Sequence, residues 1–215
     1  MTLPCAAVAE SRPAALPPAE RTVGQLVAES IRFYGDHFWA VLALGIPFAL
    51  LDVISSGQPW WRKMIAGWIL GPLICAAYVR GSMLVAGTFW SWRAYALALL
   101  VYVPYPPLAL YALPAVAYFG LIGLSIPACV AENLGVRAAL RRGYELGRAD
   151  LVHAIAGLAT IALVVGVSRI ALEFLLSTQG DQGIEIASVL ADLVLSPLYY
   201  IGAALLYVDQ AARVK

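Results

Sequence analysis

Charge is what this chain has least of: only 13% of its 215 residues are Asp, Glu, Lys or Arg, while 62% are hydrophobic. Soluble domains average about a quarter charged and about half apolar, so too few charges remain here to coat a water-facing surface. That excludes an ordinary soluble fold and makes lipid the second solvent. The net charge of +1 points to no partner by itself, and no nucleic-acid partner is expected. What matters is where the charges fall.

Cysteine is equally scarce. Cys5, Cys75 and Cys129 are an odd number without metal-ligand spacing, which excludes a zinc site and a disulfide framework. Cys75 and Cys129 lie in apolar runs, where a thiol behaves as a small hydrophobe. Enzyme signatures are missing too: there is no phosphate-binding glycine loop, no HExxH, no GxSxG and no paired aspartate motif. No catalytic residue, metal or cofactor is therefore assigned from motifs. The first twenty residues have neither a basic n-region nor an apolar stretch long enough for a signal peptide, and Cys5 lacks a lipoprotein cleavage context. Residues 1–21, rich in Pro and Ala, are expected to form a disordered cytoplasmic leader.

What is present is long apolar runs. Thr22-Val-Gly-Gln25 fits a capping box, after which Val23, Leu26, Val27, Ile31 and Tyr34 recur at helical spacing opposite Gln25, Glu29, Arg32 and Asp36. This predicts an amphipathic surface helix over 22–36, too short to cross a bilayer. Six spans are then predicted, over about 38–54, 64–86, 94–113, 114–131, 151–176 and 184–208. Pro104, Pro106 and Pro107 predict a kink or break in the third. Between the fourth and fifth, residues 135–150 place Val136, Ala139, Leu140, Gly143 and Tyr144 on one face and Arg137, Arg141, Glu145 and Arg148 on the other. This is a second, basic surface helix, and residues 209–215 read as a polar cytoplasmic tail. The fold class is all-α, a polytopic membrane helical bundle with two amphipathic surface helices.

Orientation follows from Lys and Arg beside the spans. With the N-terminus inside, Arg12, Arg21, Arg32, Arg93, Arg137, Arg141, Arg142, Arg148, Arg213 and Lys215 fall on the inner side and only Arg62 and Lys63 on the outer. An even number of spans returns the C-terminus to the cytoplasm, at a cell inner membrane. Each surface helix leads directly into a span, and Gly71-Pro-Leu73 echoes Ser196-Pro-Leu198. This is a weak sign of the parallel repeat found in several transporter folds.

The chain resembles a family of small bacterial membrane proteins, the glycerophosphoryl diester phosphodiesterase membrane domain and its uncharacterised stand-alone relatives. Thr22-Val-Gly-Gln-Leu26 with Arg32-Phe-Tyr34 looks like that family's opening surface helix. Leu113-Pro114 with Pro127 and Glu132 looks like its fourth span, Ala139-Leu-Arg-Arg142 with Leu146 like its basic segment, and Tyr207-Val-Asp209 with Arg213 like its closing tail. Gly143 stands where a serine usually follows the paired arginines, and Ala211 where the tail usually carries its first arginine. The phosphodiesterase activity of fused members resides in a separate barrel domain that this chain lacks. The resemblance therefore implies a membrane module without hydrolase activity.

Charges inside spans cost a few kcal/mol and need partners or water, so Asp52, Arg80, Arg169, Glu173 and Asp192 are the intramembrane candidates. Arg169 and Glu173, four apart on one helix, can pair with each other. Asp192 is the cross-helix candidate partner for Arg80, although Arg80 lies towards the inner half and Asp192 towards the outer. Glu132 with Arg137, Arg141, Arg142 and Arg148 forms the candidate cytoplasmic face for anionic inner-leaflet lipid or a protein partner. His37 and His153 each open a span without ligand companions.

Three functions remain open from the sequence. The first is a non-enzymatic interaction or accessory module, alone or as a homo-oligomer. The second is a small transporter or lipid-handling protein, which requires a water-accessible cavity near Arg80 or Asp192. The third is an intramembrane lipid enzyme built on Glu132.

Overall fold

The computed structural model describes residues 17–214, apart from the side chains of Ala112, Gln179 and Asp181. Within them the chain is helical throughout, without a strand. Helix α1 (Val23–Asp36) starts at the expected capping box: Thr22 Oγ1 accepts from the Gln25 N–H at 3.4 Å, and Gln25 Oε1 from the Thr22 N–H at 2.7 Å. The first span is α2 (Phe38–Leu42), a 3-10 turn at Ala43–Gly45, and α3 (Ile46–Ser55). Pro47 causes the turn, because it cannot donate to the Ala43 carbonyl and its ring crowds that group. Helix α4 (Trp60–Ala86) is uninterrupted and ends at Gly87 with φ +64°, a left-handed cap that glycine adopts without strain.

The third predicted span carries the break expected at its prolines. Residues 94–113 do not form one helix but two short ones, α5 (Trp92–Tyr102) and α6 (Tyr105–Leu108), because the proline cluster removes successive backbone donors. Next come α7 (Ala112–Tyr118), a π-helical turn at Phe119–Gly123, and α8 (Ser125–Ala131). The chain continues through α9 (Val136–Ala149), α10 (Leu151–Leu176), α11 (Asp181–Leu195) and α12 (Pro197–Arg213). Among the described residues five segments, not six, are long and apolar enough to cross a bilayer: Phe38–Ser55, Trp60–Ala86, Leu113–Ala131, Leu151–Leu176 and Gln182–Arg213. The chain is a helical membrane protein whose third pass is a broken one.

Tight turns join α3 to α4 and α10 to α11 at one rim of the bundle, the hairpin rim. The opposite, terminal rim carries α1, α9 and both described ends of the chain. α3 runs along α11, while α4 packs on α8 and α12, and α10 on α11 and α12. Leu97, Leu124, Ile126, Ile161, Ile201 and Leu206 are fully enclosed among them.

The two surface helices turn their buried faces to the bundle rather than to lipid. Leu26, Ser30 and Tyr34 of α1 lie against α10 and α12, whereas Ala139, Gly143, Leu146 and Gly147 of α9 lie against α8 and the π turn. Ile31 and Tyr144, expected on the apolar faces, stand outside at 51% and 48% exposure. The different seats of α1 and α9 also mean that the sequence echo does not extend to equivalent packing. Gly143 and Gly147, spaced like a transmembrane GxxxG motif, permit the close seat of α9. A Cβ at Gly143 would meet the backbone of Ser125, and one at Gly147 would lie 2.6 Å from the Gly120 carbonyl. A serine at 143 does not fit this seat.

The expected polar tail is instead the last turns of α12, where Asp209 and Gln210 are fully buried. Of the expected leader, residues 1–16 lie outside the described residues; Pro18–Glu20 forms a 3-10 turn packed on α12.

Prolines inside the apolar segments free carbonyls that lipid cannot satisfy. Pro107 cannot donate to Val103, whose carbonyl accepts instead from the Trp68 indole at 2.9 Å. Pro127 cannot donate to Gly123, whose carbonyl accepts from the Tyr78 hydroxyl at 3.0 Å. Tyr78→Phe removes that donor and is expected to lower stability by about 1 kcal/mol, measured by thermal unfolding in detergent. Gly143→Val is expected to cost about 1–3 kcal/mol, because α9 must lift from α8; the same melt should show the larger drop.

Candidate functional site

The site is built around one guanidinium at the hairpin rim. Arg169, two turns before the end of α10 as the helix winds towards that rim, directs its donors to three helices. Nε donates to Glu173 Oε1 at 2.8 Å, one turn along α10. NH1 donates to Asp192 Oδ1 on α11 at 2.9 Å, and NH2 spans both carboxylate oxygens of Asp52 on α3 at 3.1 and 3.2 Å. Ser188 of α11 completes the set, accepting from NH2 at 3.1 Å and donating to Glu173 Oε1 at 2.8 Å. Arg169 is about one-third exposed and Asp192 15% exposed, so the cluster is shielded rather than enclosed.

Local chain breaks put these groups within reach. The 3-10 turn before α3 ends at Gly45, where a Cβ would collide with the Leu193 carbonyl of α11. That carbonyl has lost its ordinary helical donor to Pro197, which separates α11 from α12. The closeness of α3 and α11 at this crossing brings Asp52 to the side of Asp192. Ser196 Oγ donates to the Asp192 carbonyl, closing the end of α11.

Behind the ionic mouth lies a cavity of about 560 Å³, bordered by Asp52, Lys63, Arg169 and Asp192 at its polar end and by α3, α4, α5, α6, α10 and α12 along its length. Its wall is a chain of aromatic contacts, each ring leading to the next: Phe48, Tyr200, Tyr78, Phe119, Tyr105 and Tyr102, with centroids 5.5–6.0 Å apart. Gly71 makes room for this wall, since a Cβ there would lie 2.7 Å from the Tyr102 ring. Tyr102 donates to the Gly67 carbonyl at 3.1 Å and Tyr78 to that of Gly123, but the hydroxyl of Tyr200, a residue only 5% exposed, has no hydrogen-bond partner among the described residues. A second recess of about 300 Å³ adjoins the mouth, bordered by Asp52, Lys63, Arg169, Glu185 and Ser188.

The terminal rim is differently arranged, with its charges paired to one another. Arg21 meets the fully buried Asp209 at 3.1 Å. Arg213 meets Asp150 at 3.2 Å, the Arg21 carbonyl at 2.7 Å and His153 Nε2 at 3.4 Å. Glu132 accepts from Arg142 at 3.1 Å and from the Tyr207 hydroxyl at 2.8 Å, so it ties α8 to α9 and α12. Arg141 pairs with Glu145 at 2.8 Å, and Arg137, Arg141 and Arg148 are exposed.

The structure brings together Asp52, Arg169, Glu173 and Asp192, and leaves Arg80 out. Arg80 is exposed on α4 near the terminal rim, and the side chain that meets Asp192 is Arg169. The pairing of Arg80 with Asp192 is thus replaced for the reason of depth, since the two lie at opposite ends of the bundle. Asp52 and Asp192 as partners of Arg169 escaped the sequence reading, although all three sit near the hairpin-rim ends of their spans. The aromatic wall escaped it too, because tyrosines inside apolar runs read as packing. Cys75 and Cys129 are buried and free, as small hydrophobes should be. His37 stacks on Phe33 and His153 sits by Arg213, and no metal-binding group of side chains occurs among the described residues.

Compared with protein-family models, curated proteins and solved structures, the chain matches none of them. Arg169→Met is expected to lower stability by about 2–3 kcal/mol, because three acids then face one another without their cation; the full penalty of a broken buried pair is discounted for the partial exposure. Arg169→Lys, a point charge without the planar fork, should fall between wild type and Arg169→Met in the same melt.

Proposed function

We propose that this chain is a small transporter or lipid-handling protein that binds an amphiphilic molecule within the membrane. The observation that carries this reading is the cavity of about 560 Å³, within the ordinary range of ligand pockets. It joins a long aromatic and aliphatic wall to a charged mouth. An apolar tail matches the wall, and a polar head matches the mouth. In this reading Asp52, Arg169 and Asp192 are head-group contacts as well as structural ones, and the stand-alone membrane domain resembled in sequence would work without a catalytic barrel.

The terminal rim, where Arg21, Arg32, Arg93, Arg137, Arg141, Arg142, Arg148 and Arg213 gather, faces the cytoplasm of a bacterial inner membrane in this proposal, following the positive-inside rule. A second reading, an interaction or accessory module, is favoured by one observation: the exposed arginines of α9 form a face suited to anionic lipid or to an acidic partner. The lipid-enzyme reading has less support, since Glu132 is held by Arg142 and Tyr207.

Gly166 lines the cavity, and a Cβ there meets nothing within 4 Å, so Gly166→Phe should fill the space without unseating α10. Native mass spectrometry of the protein released from mild detergent is expected to show one retained amphiphile, lost in Gly166→Phe at an unchanged melting temperature. Equal occupancy in both, or none in wild type, would overturn the reading. For orientation, Lys63→Cys should react with an impermeant maleimide added outside intact cells, and Arg148→Cys only after the membrane is opened; the reverse pattern would invert the topology.

A further inference from the structure

The binding reading leaves the head group unspecified, and three observations narrow it. The first is charge. Around the mouth and its adjoining recess stand Asp52, Glu173, Asp192 and Glu185, against Arg169 and Lys63, so the carboxylates outnumber the cations. The second is the state of those carboxylates. Arg169 donates to one oxygen of Asp192 and one of Glu173, and among the described residues no donor reaches Asp192 Oδ2. Asp192 is the carboxylate on the cavity border that retains an open oxygen.

The third observation is the wall. The faces of aromatic rings carry negative quadrupole potential and attract alkylated ammonium groups while repelling anions. Here Phe48, Tyr78, Tyr102, Tyr105, Phe119 and Tyr200 line the same cavity as Asp192.

Resting on the reading of the cavity as an amphiphile site, we propose that it selects amphiphiles whose head carries a cationic nitrogen. The nitrogen sits at the open oxygen of Asp192, and the alkyl chain runs along the aromatic wall. Lys63, beside the carboxylates at the border, disfavours a head that is only cationic and bulky enough to cover the whole mouth, and confines the cation to the Asp192 side. An anionic head meets the carboxylates and ring faces instead.

The test uses the full-length protein in nanodiscs and three probes with one dodecyl chain: dodecyltrimethylammonium, dodecyl phosphate and an uncharged dodecyl oligoethylene glycol. Binding is read by native mass spectrometry in competition. The ammonium probe is expected to bind one to one and about tenfold more tightly than the uncharged probe, which corresponds to roughly 1.4 kcal/mol. The phosphate should bind weakest. Asp192→Asn should bring the ammonium probe down to the uncharged level without altering the uncharged probe, and Asp52→Asn should do so in part. If all three probes bind alike, or the phosphate tightest, while Gly166→Phe abolishes each of them, the head-group assignment fails and the cavity reading stands. If no probe binds one to one, both fail. The ranking in wild type needs no variant, so a folding defect in Asp192→Asn leaves the proposal open to refutation.

Discussion

A single guanidinium sets the geometry of the hairpin rim. Arg169 is hydrogen-bonded to carboxylates from α3, α10 and α11, at 2.8–3.2 Å, and each of those acids on its own would be costly in an apolar segment. The cation and the acids make one another tolerable, and the helices that carry them are held at fixed spacing as a result. A planar fork is the group suited to this task, since it presents donors in three directions at once. Because the acids exceed the cation, the cluster is held together without being neutral.

A second constraint shapes the interior. Lipid offers no hydrogen bonds, so every carbonyl freed by a proline must find a donor within the protein. Tyr78 and Trp68 supply two such donors, to Gly123 and Val103. Tyr78 therefore stands deep in the bundle partly to repair its backbone, and its ring is part of the wall of the cavity. The break between α5 and α6 and the π turn border the space, and Tyr78, which mends the carbonyl left open by Pro127, lines it. Irregular backbone at membrane depth is found where it borders a cavity or a binding site, and this bundle follows that pattern.

The two rims divide the work. At the terminal rim Arg21–Asp209, Arg213–Asp150 and Arg142–Glu132–Tyr207 lock α1, α9 and α12 together, and buried acids there have matching cations. Glycines at 143 and 147 seat α9 closely on α8 and the π turn. The exposed arginines of α9 face outward from this locked platform. At the hairpin rim charge is unbalanced, and the space behind it is open.

The sequence alone determined the helical membrane class, the two helices with polar outer faces, the capping box at Thr22, the pairing of Arg169 with Glu173, the break at Pro104–Pro107 and the concentration of arginine at one rim. These follow from composition, from the 3.6-residue period and from neighbours along the chain, all of which are local. Only the tertiary structure decided that Asp52 and Asp192 join Arg169 while Arg80 stands apart, that α1 and α9 rest on the bundle, and that the tyrosines wall a cavity. Those outcomes depend on which helices lie side by side, and apolar runs carry little record of their neighbours. The decisive contacts are made instead by absent atoms, at Gly45, Gly71 and Gly143, and by carbonyls that prolines leave open, whose partners lie tens of residues away in the chain.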